Sequence, residues 1–121
     1  MIENLVVLVV EDDQERQSAF KEELFDCDLT LADNAGHAIA LLSSRQFDCV
    51  FLDYDLSTRG GEGRIIAEAL ASGRNGSAKV IVHSMNLAGA MQMRKFLPQC
   101  KIIPFSDLRG NILATMQTKA G

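Results

Sequence analysis

Two short acidic clusters carry the chemistry that this sequence can do. The apolar run in "VFLDYD" ends on Asp53 and Asp55 and leads into a loop with three glycines in four positions, Gly60, Gly61 and Gly63. An earlier run, "LVVEDD", ends on Glu11, Asp12 and Asp13. Carboxylates placed this way suit a divalent-cation site, a covalent aspartyl nucleophile or a helix cap. Like charges crowded into a partly desolvated crevice raise one another's pKa or recruit a cation. Mg²⁺ keeps several waters and accepts one or two carboxylates plus a phosphate, which Asp12 and Asp53 can supply. A carboxylate beside that cation can then form an aspartyl-phosphate, the metal neutralising charge on the transferred oxygens. Ser84, ending "VIVHS", is placed to hold a phosphoryl oxygen or to cap the following helix. Asp13 is expected to cap the first helix, while Glu11 either faces solvent or joins the site. Strand alternation is expected to turn His83 away from it, and His83 and His37 form no visible metal pair.

Short apolar runs must position these groups: Leu5 to Val10, Leu29 to Leu31, Cys49 to Leu52, Val80 to Val82 and Ile102 to Ile103. Their near-continuous apolar character predicts strands covered on both faces, as in a parallel sheet. Between them, Ala35, Ala38, Ile39 and Leu42 form one amphipathic helical stripe, and Leu108, Ile112, Leu113 and Met116 another. Weaker stripes run from Asp13 to Phe25, Glu62 to Ala71 and Leu87 to Leu97, with stop signals at Gly73 and Pro98. The pattern is a βα unit five times over. It predicts one α/β domain, residues 1–121, with a doubly wound parallel sheet whose ligands bind at the carboxyl ends of the strands. Asp12 and Asp53 belong to separate βα units and are expected to meet at that rim.

Composition narrows the function. A chain of 121 residues, 47% hydrophobic, can bury about two-thirds of its unfolded surface without disulfide or metal. Cys27, Cys49 and Cys100 are odd in number and lie in or beside apolar segments, so reduced packing residues are expected. No apolar run approaches the ~20 residues of a membrane span, and the N-terminus lacks a basic signal region. A cytoplasmic protein with no membrane partner is expected. A net charge of −4 with 12 scattered basic residues argues against nucleic acid as a partner.

In motif content and order the chain resembles a response-regulator receiver domain, the phosphorylated switch of two-component signalling. "LVVEDD", "DNAGHAIALLSSRQFDCVFLD", "VIVHS" and the late Pro104-Phe105 pair carry the likeness. The resemblance implies a flavodoxin-like sheet of order 2-1-3-4-5. It implies Asp53 as phosphoacceptor, Glu11 and Asp12 as the acidic pair around Mg²⁺, Asp55 as donor of a backbone carbonyl to the metal, and Ser84 as the switch hydroxyl. A sensor histidine kinase or phosphotransfer protein would supply the phosphoryl group. With no effector segment visible, output would pass by contact to a downstream protein.

Three positions depart from the family pattern. Ile103 stands where a lysine usually binds the phosphoryl oxygen, so Lys101, on the same strand face, or Arg59 or Arg64 would have to supply that charge. Cys100 takes the place of a frequent aromatic switch residue. The loop from Ser57 to Gly63 lacks the usual proline and is about two residues longer than common.

Two further readings compete with the phosphoaccepting switch, which is not itself an enzyme. One is a degenerate receiver that binds a partner without phosphorylation. The other is an aspartyl-phosphate phosphatase, since "DYDLS" resembles the nucleophile motif of haloacid dehalogenase-like enzymes. Those enzymes place that motif before their metal-binding acids, the reverse of the order here.

Overall fold

The computed structural model describes residues 4–56 and 62–117. In chain order the elements are β1 (Val6–Val10), α1 (Gln14–Glu23), β2 (Asp28–Ala32), α2 (Ala35–Ser44), β3 (Cys49–Leu52), α3 (Glu62–Ser72), β4 (Lys79–Val82), α4 (Leu87–Met93), β5 (Lys101–Ile102), α5 (Phe105–Leu108) and α6 (Ile112–Gln117). All strand pairs are parallel, and the sheet order is β2-β1-β3-β4-β5. The expected doubly wound architecture and strand order are both present. Among the described residues, no helix is long and apolar enough to cross a membrane.

Strand alternation sorts the core into two layers. Leu8, Val10, Val50, Leu52, Val80 and Val82 pack on one face with Leu42, Ile66, Leu70 and Met93. Val7, Val9, Phe51 and Ile81 pack on the other with Phe20, Phe105, Leu108, Ile112 and Met116. Each central strand is thus buried on both sides, which is why its sequence reads as an uninterrupted apolar run. The cysteines are free, and burial pushes the Cys49 thiol up to about 12.

Local chemistry sets the helix starts. Asp13 caps α1, its side chain accepting from the Arg16 N–H at 2.9 Å, as expected. Asn34 caps α2 in the same way through His37. Ser84 does not cap α4; Asn86 does, accepting from the Gly89 N–H. Buried Asn75 ties the end of α2 to β3, accepting from the Phe47 N–H and donating to the Leu42 and Arg45 carbonyls.

The last helical stripe needs correction. Leu108, Ile112 and Met116 are buried together, but on two short helices rather than one. Gly110, at φ +88, turns the chain between them. Glu23, at the end of α1, accepts from the N–H groups of Gly110 and Ile112 at 2.6 and 3.0 Å. A distant carboxylate therefore satisfies donors at the start of α6.

Candidate functional site

The sheet's hydrogen bonds continue one residue past the strands. Glu11 N–H donates to Ala32 O, Asp53 N–H to Val10 O, His83 N–H to Leu52 O and Ile103 N–H to Val82 O. Glu11, Asp53, His83 and Ile103 consequently stand side by side at the carboxyl rim, across β1, β3, β4 and β5. Alternation points this row toward α1, because the residue before each belongs to the opposite core layer.

This placement overturns the expectation that His83 faces away. Alternation counted from Ser84 turns His83 away, whereas the ladder puts His83 level with Asp53. His83 is fully buried, and its Nε2 lies 2.8 Å from Glu11 Oε1. Its ring meets Phe20 and Phe105 edge-on at 5.2 and 6.3 Å between centroids. Nδ1 has no hydrogen-bond partner among the described residues. A proton on Nε2 leaves Nδ1 as a bare acceptor among aromatic rings, less costly than a buried, unanswered N–H. We therefore assign Nε2 as donor to Glu11. The buried Glu11 carboxylate also accepts from the Asp13 N–H at 3.0 Å.

Asp53, only 3% exposed, is the other carboxylate of the row. Burial pushes its pKa up to about 6; Glu11 also raises it, while the Asp55 N–H and Arg16 oppose the rise. Asp12, the next residue after Glu11, is exposed, and partial burial and the charge of Glu11 raise its pKa too. Asp55 is exposed and accepts from Asn86 Nδ2 at 3.2 Å, linking the loops after β3 and β4. Ser84 is buried, its hydroxyl oxygen accepting from the Asn86 N–H at 3.0 Å.

Ligand atoms of Glu11, Asp53 and His83 lie within 4.8 Å of one another. For Nε2 to bind a metal, its proton would have to move to Nδ1, which has no acceptor there. His83 is thus better matched to holding Glu11 than to ligating an ion. Asp53, with Glu11 beside it, offers oxygen donors that fit a hard cation, at a site where burial first and the Glu11 charge second lift the Asp53 pKa.

Among the described residues, the substitutes expected for the missing lysine, Lys101 and Arg64, have no contact with the acidic row. Lys101 is level with Ile81, near the start of β5, and lines a cavity of about 480 Å³ with Lys79 and Phe96 at the amino ends of β4 and β5. Burial lowers the Lys79 pKa, and the charge of Lys101 adds to that lowering. Arg64 is exposed on α3, and Arg59 lies outside the described residues. Among the described residues, the cation at the acidic row is Arg16, on the first turn of α1. Its Nη1 lies 3.8 Å from Glu11 Oε1 and 3.9 Å from Asp53 Oδ2. Its guanidinium carbon sits over the Phe105 ring at 5.3 Å. The sequence held a signal for it: a basic residue in a first helical turn opposes the helix dipole and calls for a nearby anion.

This fold, with an acidic row at the carboxyl ends of a 2-1-3-4-5 sheet, defines a receiver domain of the response-regulator class. Residues 6–99 match the family described as the cyclic-phosphate processing receiver domain, and the chain belongs to that family. Similar solved structures include a CheY-like receiver from Methylobacillus flagellatus, 20% identical, TM-score 0.68, covering 95% of this chain and 100% of that one. The receiver of a sensor histidine kinase from Pseudomonas aeruginosa PAO1, with magnesium in its active-site cleft, is 18% identical, TM-score 0.74, covering 95% and 96%. A Burkholderia pseudomallei response regulator with a phosphorylated aspartate, calcium and citrate is 21% identical, TM-score 0.75, covering 94% and 67%. At these identities the likeness is one of fold. None of the curated proteins matches the chain.

Proposed function

We propose that the chain is a phosphoaccepting switch in which Asp53 takes a phosphoryl group and passes the signal by protein contact. The observation that carries this reading is the Asp53 carboxylate itself. It stands at the open end of β3, beside Glu11 and within reach of the Arg16 cation. An Asp53 oxygen attacks phosphorus, the donor's leaving group departs with the bonding pair, and an acyl phosphate remains. Mg²⁺, held by Asp12, Asp53 and the Asp55 carbonyl, would neutralise charge on the phosphoryl oxygens. His83 and the Asp13 N–H hold Glu11 behind the nucleophile. Ser84 accepts one hydrogen bond in this state, and its own O–H, without an acceptor among the described residues, would donate to a phosphoryl oxygen. A sensor histidine kinase or phosphotransfer protein in the cytoplasm is the donor this reading implies.

The family description favours a second reading, in which the site acts on a cyclic phosphate ester. There Asp53 would open the ring, one ester oxygen leaving as a hydroxyl, and water would then release the product. Intact-mass measurement with Mg²⁺ and a small-molecule phosphodonor, alongside incubation with a cyclic phosphodiester, separates the two. A single phosphoryl adduct, absent from Asp53→Asn, supports the switch. Continuous consumption of the cyclic ester supports the enzyme. An adduct that persists in Asp53→Asn refutes Asp53 as the acceptor.

A further inference from the structure

Ile103 removes the cation that receivers usually bring from the fifth strand, yet the site has not lost its positive charge. The cation arrives from the opposite side of the row, on α1. Asp13 caps that helix, and in doing so fixes Arg16 one turn above the rim. The Phe105 face supports the guanidinium from behind. The side chain is 30% exposed, so it faces both the buried carboxylates and solvent.

The distances matter. At 3.8 and 3.9 Å, neither contact with Glu11 or Asp53 reaches the 2.7–2.9 Å of a charge-assisted hydrogen bond. Arg16 is attracted to both carboxylates without its donors being used up by either. A phosphoryl group on Asp53 would present oxygens to a planar fork shaped for two of them. Ile103 fits the same arrangement: it packs with the apolar layer that contains Phe105, on the strand where a lysine would compete with Arg16 for the same anion.

We propose that Arg16 is the residue that binds the phosphoryl oxygens, replacing the absent fifth-strand lysine from the other side of the site. This rests on Asp53 being the phosphoacceptor. The reading has a consequence that a merely structural role lacks. Before phosphorylation, Arg16 and a divalent cation are both drawn to the Glu11 and Asp53 carboxylates, so they oppose each other. After phosphorylation, both act on the added oxygens.

Arg16→Gln and Arg16→Lys test this. Phosphorylation by a small-molecule donor is followed by intact mass, beryllofluoride binding is measured as a phosphoryl mimic, and Mg²⁺ affinity of the unphosphorylated protein is titrated. Arg16→Gln should phosphorylate about tenfold to a hundredfold more slowly and lose beryllofluoride affinity to a similar degree, as loss of a charge-assisted bond implies. The same variant should bind Mg²⁺ at least as tightly as the parent. Arg16→Lys, which keeps the charge but not the fork, should fall between. A parent-like rate in Arg16→Gln overturns the assignment. So does a parallel loss of Mg²⁺ and phosphoryl binding in both variants, which would mark Arg16 as structural. If the parent itself takes no phosphate, it is the phosphoacceptor reading that fails.

Discussion

Replacing Asp53 by asparagine should stabilise the metal-free protein at neutral pH, and the gain should vanish in acid. In the fold the carboxyl titrates at about 6, against 3.8 for an ordinary aspartate, chiefly because the protein buries it. Between those values the folded chain binds more protons at this site than the unfolded chain. Stability contributed by the protonated acid is therefore lost as pH rises through this window, and above it the fold holds a disfavoured charge. The difference between those two values corresponds to ~3 kcal/mol. Asparagine has almost the same shape and cannot ionise. At pH 7.5 the variant should exceed the parent by up to ~3 kcal/mol, or roughly 10 °C in Tm for a domain of this size. Near pH 4 the two should coincide. Urea and thermal unfolding with a chelator present, at several pH values, measure the difference. A variant no more stable than the parent at pH 7.5, or a gap that does not change with pH, would refute the argument that burial sets the state of Asp53.

Two other outcomes follow from neighbouring residues. Asp12→Asn should weaken Mg²⁺ binding in a titration more than Asp13→Asn, because Asp12 is free at the rim while Asp13 is engaged as the α1 cap, a role asparagine retains; equal losses would contradict the assignment. Gly89→Ala should destabilise the domain by about 1–3 kcal/mol, since the new methyl group would lie 2.3 Å from the Tyr54 ring. Denaturant melts of Gly89→Ala and of a control at exposed Gly36, where the nearest atom is 3.5 Å away, check that α4 truly sits this close to the residue after Asp53.

Much of this was legible in one dimension because it depends on local pattern. Double-sided burial makes a central parallel strand an apolar run, so five such runs with helical stripes between them imply the sheet. Carboxylates that end those runs must lie at the carboxyl rim, which is where Asp53 and Glu11 stand together. Capping is equally local, and Asp13 was recognisable from its position before α1.

What remained hidden depended on groups far apart in the chain. The break between α5 and α6 is invisible in a stripe whose apolar residues keep their spacing; Glu23, 87 residues before Gly110, supplies the acceptor that lets the second helix begin anew. The orientation of His83 depends on the ladder bond to Leu52, not on its rank beside Ser84. Lys101 shares the strand face of Ile103, but two residues along a strand separate it from the row by roughly 6–7 Å. Arg16 reaches that row because α1 folds back across β1 and β3, a packing decision made by Phe20 and Phe51 in contact. Sequence determined the strands, most of the helices and the rim at which the acidic strand ends lie. Only the tertiary structure decided which cation and which imidazole stand beside the nucleophile, because charges on separate elements acquire partners only when the layers pack.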